Sequence, residues 1–362
     1  MPPFPVRDRR ISAGWGAEVT DVSGPANKEG HHIFFDELTR FAEQGRNTRL
    51  TPIIRRLARP LRVAVRGRDG VGRGTVAAAL AGVGVTVIPD HAGADVDVVV
   101  IAEALKPEDR ALLGAARKPT LAVLNKADLT GFGADGPMAI AYRRAGDYRA
   151  LTGVPTVPLI GLLATAVLDD ELVSALHVLT TEPADLTSTD AFLQTDHRLP
   201  RDVRARLLDT LDRFGIAHAV LAISRGATAA SLPSLLRRLS EVDRVVAQLW
   251  ATGAAVRYQR VRSAIAELRT LAVESGDERL TEFLFSDDTV IAVMAAAVDV
   301  VEAAGLAVDP GDHAAAHLRR AAHWRRYGHG PLGALHRGCA ADISRGSLRL
   351  LARAQRRAGD IR

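Results

Sequence analysis

Three short segments of this 362-residue chain carry residue types that could do chemistry on a phosphorylated ligand. The first is Gly67-Arg68-Asp69-Gly70-Val71-Gly72-Arg73-Gly74-Thr75, set between an apolar run and an Ala-rich one. A loop of the form G-x-x-x-x-G-K-[ST] wraps a β-phosphate in backbone N–H groups, while its Lys reaches the outer phosphate oxygens and its hydroxyl holds Mg²⁺. Gly67 and Gly72 are spaced for such a loop, but Arg73 stands where the Lys belongs and Gly74 where the hydroxyl belongs. The second segment, Asn125-Lys126-Ala127-Asp128, fits N-K-x-D. There a carboxylate (Asp128) accepts two hydrogen bonds from guanine N1 and N2, Asn125 braces the loop and the Lys126 stem lies over the ring; adenine has no matching donor pair. The third, Asp90-His91-Ala92-Gly93, fits D-x-x-G, in which the Asp holds Mg²⁺ through water and the Gly N–H meets a γ-phosphate. Its bland alternative is a turn between two strands.

These segments need a frame that presents them on one edge. Apolar, β-branched runs at 61–66, 85–88, 96–102, 119–124 and 155–160 read as strands, and 75–83, 107–117, 136–151 and 168–179 read as helices. That alternation implies an α/β fold with a mostly parallel sheet sandwiched by helices. Residues 1–30, rich in Pro, Gly and charge, read as a flexible arm. Residues 31–59 read as two leading helices (Phe34, Phe35, Leu38 and Phe41, then Ile53, Ile54 and Leu57) that pack on the helical part. The α/β part spans 60–182. Beyond it strand signals stop, and 183–362 reads as an all-α bundle with helices at 200–214, 232–274, 289–304, 312–326 and 332–357.

With these motifs in order on such a frame, the sequence resembles the P-loop GTPases and, among them, the actinobacterial dynamin-like GTPases. The resemblance covers about residues 50–275: the phrase 59–65, the stretch 94–129 around N-K-x-D, and the helical stretch 208–271. It implies GTP or GDP as ligand, phosphate contacts from Gly67, Asp69, Gly70, Gly72, Arg73, Gly74 and Thr75, and base contacts from Asn125, Lys126 and Asp128. Leu162–Thr165 falls where the last guanine loop of that family would lie. Only fourteen residues separate Thr75 from Asp90, too few for the threonine-bearing switch loop that closes over Mg²⁺ in the family. Thr75, one position late, and Asp90 are the remaining metal candidates, and Mg²⁺ is not a secure part of the expectation. A degenerate GTPase is therefore expected, with no catalytic residue identifiable. It would bind guanine nucleotide with little or no hydrolysis and act as a regulatory or scaffolding partner of a competent dynamin-like GTPase, or of itself. Two alternatives stand beside it: a slow GTPase completed in trans by a partner, and a nucleotide-free module that binds protein or lipid through its helical half.

Composition sets the outer bounds. At 47% hydrophobic and 25% charged the chain can bury a substantial core, which excludes a dominantly disordered protein. One cysteine, Cys339, excludes an intramolecular disulfide, and the first ten residues lack an apolar leader, so a cytoplasmic location is expected. The net charge of +5 is uneven: residues 311–362 hold eleven arginines against Asp312, Asp342 and Asp360. These basic C-terminal helices could meet the inner face of the plasma membrane or an acidic partner; nucleic acid is not expected as a partner. His313 with His317, at i, i+4, could hold a metal, and Cys339 with His336 could form a nucleophile pair; the sequence supports neither beyond that spacing.

Overall fold

The computed structural model describes residues 30–131 and 133–360, so the N-terminal arm expected at 1–30 lies almost wholly outside the described residues. Helices α1 (Gly30–Gly45) and α2 (Thr51–Leu57) lead into strand β1 (Arg62–Arg66), helix α3 (Arg73–Gly82) and the two-residue strand β2 (Thr86–Val87). Then follow β3 (Val96–Ala102), α4 (Pro107–Gly114), β4 (Thr120–Asn125), α5 (Gly136–Thr152) and β5 (Thr156–Leu159). The five strands form one parallel sheet in the order β2-β1-β3-β4-β5. Order 2-1-3-4-5 reverses direction between β1 and β3, and in open α/β sheets the crevice outside the carboxyl ends at that point is where ligands sit. The loop 67–72 leaves β1 there.

The remaining helices are α6 (Gly161–Thr165), α7 (Asp170–Thr181), α8 (Thr189–Gln194), α9 (Arg201–Ser224), α10 (Leu232–Ser240), α11 (Val242–Ser275), α12 (Glu278–Phe285), α13 (Asp287–Ala303), α14 (Ala314–Gly328) and α15 (Ala334–Asp360). Strand residues alternate between two cores. Val99, Ile101, Ala122 and Leu124 pack with α7 to α10, whereas Val63, Val98, Val100 and Val123 pack with α3 and the start of α11, through Val242, Val245 and Leu249. Residue 182 therefore does not separate two bodies: the chain to about Leu249 is needed to cover both sheet faces. The third core is the bundle, where Phe34, Leu38, Ile53 and Leu57 of α1 and α2 join Val261, Leu268, Val300, Trp324 and Ile343. Helix α11 runs through both halves, and Gly253 lets it pass Leu61, whose Cδ1 would stand 2.4 Å from a Cβ there.

Two chain breaks steer this packing, and neither is at Gly or Pro. The expected helix 232–274 is split at Glu241, which adopts φ 63°. Ser240 at this bend accepts the Ile160 N–H on its carbonyl, at the β5 edge, and its hydroxyl accepts from Val242 N–H. The chain thus crosses from one face of the sheet to the other. Helix α9 breaks at Asp212 (φ 52°, ψ 176°), a conformation open to glycine and costly for any side chain. Replacing Asp212 with Gly is expected to raise stability by about 1 kcal/mol, the relieved strain less the added chain entropy of glycine; urea unfolding at pH 7 measures it, and an unchanged midpoint would show the bend to be unstrained.

No described helix is long and apolar enough to cross a membrane. Part of the charge of the basic C-terminal helix is paired: Arg349, Arg353 and Arg356 pair with Asp287, and Arg353 also with Asp288, at the start of α13.

Candidate functional site

The loop between β1 and α3 has the backbone of an anion cradle. Gly72, at φ 85°, is the N-cap of α3, and a Cβ there would stand 2.5 Å from Asn125 Nδ2. Gly67 lies against β3, where a Cβ would stand 2.7 Å from the Val100 carbonyl oxygen. Among the described residues the N–H groups of 70–75 donate to no protein acceptor, as befits a helix start aimed outward. The side chains answer differently. Arg73 Nη2 lies 2.5 Å from Asp69 Oδ1, an exposed pair folded across the loop. Arg68 enters the β1–β3 crevice, donating to the Ala102 carbonyl at 3.0 Å and to the buried Asp109 at 3.3 Å. Gly74 faces open space. The Thr75 methyl lies toward α6, 3.3 Å from where a Cβ of Gly161 would be.

Asn125, at the end of β4, binds this loop to the rest of the site. Its Nδ2 donates to the Val71 carbonyl at 2.9 Å, and its Oδ1 accepts the Gly161 N–H at 3.0 Å. The amide is 3% exposed, so each of its bonds replaces one that water cannot supply. Lys126 adopts φ 56° and donates through Nζ to the Gly70 carbonyl at 3.0 Å, laying its stem across the loop. Two residues on, Asp128 is half-buried. Desolvation is the main cause that raises its pKa from 3.8 to about 6; Asp212 pushes it further the same way, and Lys126 opposes.

A carboxyl group with a raised pKa holds its proton longer in the folded state than in the unfolded one. Stability from this group is therefore intact below 3.8, falls as pH rises toward about 6, and is level above that. Asp128→Asn is expected to gain stability over wild type at pH 7.5 and none at pH 3.5, where both side chains are neutral. Paired denaturant titrations at the two pH values decide it, and an equal gain at both would remove the burial argument.

The D-x-x-G segment follows Pro89, which lines a cavity together with Arg73 and Gly74 of the loop. The Asp90 carboxylate closes its own turn, accepting from Ala92 N–H at 2.8 Å and Gly93 N–H at 3.0 Å. This turn sits beside Arg62, at the amino end of β1, and Lys118 clamps it through the carbonyls of His91, Ala92 and Ala94. Both oxygens of Asp90 are thus engaged within its own turn. Leu162–Thr165, expected as the last guanine loop, lies within helix α6.

The remaining candidates have structural partners. His313 Nδ1 caps α14 by accepting from Ala316 N–H. His317 is buried, with Nδ1 on Arg320 and Nε2 on Asp312. Cys339 is fully buried and its thiol is pushed up to about 12 by desolvation, which makes it a poor nucleophile. No group of three metal-ligating side chains occurs among the described residues.

Sequence reasoning passed over Arg68, Asp109 and Gly161, all of which shape the site. Asp109 at N3 of α4, accepting from Lys106 N–H, was the one readable signal: a helix-start acid. Searches of protein-family models and of curated proteins find no match for this chain.

Proposed function

We propose that the chain is a degenerate, dynamin-like relative of the P-loop GTPases that binds a guanine nucleotide between the loop 67–75 and the segment 125–128. The observation that carries this reading is the Asn125–Lys126 brace: two consecutive residues of the base-reading motif bond to Val71 and Gly70 of the phosphate loop. A brace of that kind fixes the distance between base and phosphate subsites. In this reading the N–H groups of 70–75 hold phosphate oxygens, Arg73 leaves Asp69 to neutralise them, and the ionised Asp128 accepts from guanine N1 and N2.

The residues present do not fit Mg²⁺. The hydroxyl position is Gly74, Thr75 stands one position late, and both oxygens of Asp90 are engaged in its own turn. The fourteen residues between Thr75 and Asp90 are taken up by α3 and β2 and leave no room for a switch loop that would position a hydrolytic water. Binding without turnover follows, and with it a regulatory or scaffolding role, by self-association or beside a competent GTPase at the membrane. One observation favours the nucleotide-free alternative: the Asp69–Arg73 pair across the loop, which phosphate must displace.

Asp128→Ala separates the two. GDP affinity is expected to fall about 100-fold, the order of two charge-assisted hydrogen bonds, with the melting temperature of the unliganded protein unchanged or higher. Equal GDP titrations for wild type and variant would contradict the proposal.

A further inference from the structure

The bundle carries a groove remote from the loop 67–75, with a volume of about 460 Å³, between α11, α15 and the α12–α13 corner. That size is ordinary for a site taking a small organic ligand. Its floor is apolar, with Ile265, Leu284 and Val293 each under 10% exposed. It stays open because the α15 wall bears Ala334, Gly338 and Ala341 at helical spacing; a Cβ on Gly338 would already stand 3.2 Å from Arg262 Nη1 and from the Tyr258 hydroxyl.

Around that apolar floor stand four guanidinium groups, Arg262, Arg269, Arg337 and Arg345, against a single carboxylate, Asp342. Asp342 is already saturated, accepting from the Tyr258 hydroxyl at 2.7 Å, Arg262 at 3.1 Å and Arg345 at 3.2 Å. Arg337 donates to the Leu332 carbonyl, and Arg269 makes no ion pair among the described residues. Two cations at the rim of a greasy trough are thus left for an anion from outside.

We propose that this groove binds a free single-chain amphiphilic anion, an acyl chain ending in a carboxylate or a phosphate. The chain lies on Ile265, Leu284 and Val293, and the headgroup meets Arg269 and Arg337. The lining offers no aromatic face for stacking a base, so a second nucleotide does not suit it. The floor lies below the arginines, so a headgroup still in a bilayer would not bring its chains onto it.

Calorimetric titration of the full chain with laurate and with dodecyl phosphate, below their micelle concentrations, tests this. The controls are dodecyltrimethylammonium and sedimentation with phosphatidylglycerol–phosphatidylcholine vesicles. Saturable one-to-one binding of both anions is expected, at least about tenfold weaker in Arg269→Gln/Arg337→Gln, where two charge-assisted bonds are lost. Ala334→Trp, which fills the groove and keeps the arginines, should weaken it as well; all three positions lie on exposed surface, and circular dichroism checks that the variants fold. Equal binding of the cationic amphiphile, no binding of either anion, indifference to both variants, or vesicle binding without binding of the free amphiphiles would each overturn the proposal.

Discussion

Gly72→Ala is expected to abolish the proposed guanine-nucleotide binding and to destabilise the protein by about 2–5 kcal/mol. Two causes add. The residue sits at φ 85°, where a Cβ costs about 1–2 kcal/mol on backbone grounds alone. That Cβ would also lie 2.5 Å from Asn125 Nδ2, so the amide must swing away from Val71 and, since it is one rigid plane, from Gly161 as well. A carbonyl and an N–H then lose their partner in a site where Asn125 is 3% exposed, which costs about 1–3 kcal/mol. Asn125→Ala removes the same two bonds without the backbone strain and should give the smaller stability loss with the same loss of binding. Urea titration and GDP calorimetry on the pair check both statements. A stable Gly72→Ala protein that still binds GDP would mean that the brace does not hold the loop.

Trp324→Ala should produce the opposite pattern, with a large loss of stability and an intact nucleotide site. Trp324 is 2% exposed in the bundle core, edge-on to Tyr327 at 5.1 Å between ring centroids. Truncating a buried tryptophan leaves a cavity that helices cannot fully close, at about 3–5 kcal/mol. None of the bundle core residues around it belongs to the clusters that cover the sheet. Two covalent links join them: the short connection from α2 (Leu57) to β1, and α11, whose sheet-facing end (Val242 to Leu249) precedes its bundle-facing stretch. Denaturant unfolding followed by tryptophan fluorescence and by near-ultraviolet dichroism should show a lowered midpoint, while GDP affinity at low temperature stays within about twofold of wild type. A matching fall in affinity would show that the bundle core positions the loop.

Strand β3 was legible because a parallel strand buried on both faces reads as a continuous apolar run, and 96–102 is interrupted only by Asp97. The pairing of the loop with N-K-x-D was legible for the same reason that Asn125 and Lys126 now bond to it: both motifs end strands that a parallel sheet brings to one edge. What escaped depended on distant partners. The split at Glu241 has no Gly or Pro beside it to announce it, and it is imposed by the need to carry the chain around β5. The assignment of α8 to α10 to the sheet escaped because an amphipathic stripe, such as Leu207 and Leu211, shows that a face is buried and not against what. D-x-x-G also describes a turn that satisfies itself, and the Asp90 carboxylate is engaged in that way. The arginine excess of the C-terminal helix overstated its free charge, since Asp287 and Asp288, more than sixty residues earlier, neutralise part of it.

The measurement that bears most directly on the central claim is calorimetric titration of the purified protein with GDP and GTP, each with and without Mg²⁺, and with ATP as control. The account expects saturable binding of both guanine nucleotides, little affected by Mg²⁺ because Gly74 stands where the metal-holding hydroxyl belongs, and no binding of ATP. No heat from GDP or GTP at millimolar concentration, or binding of ATP equal to that of GTP, would contradict it.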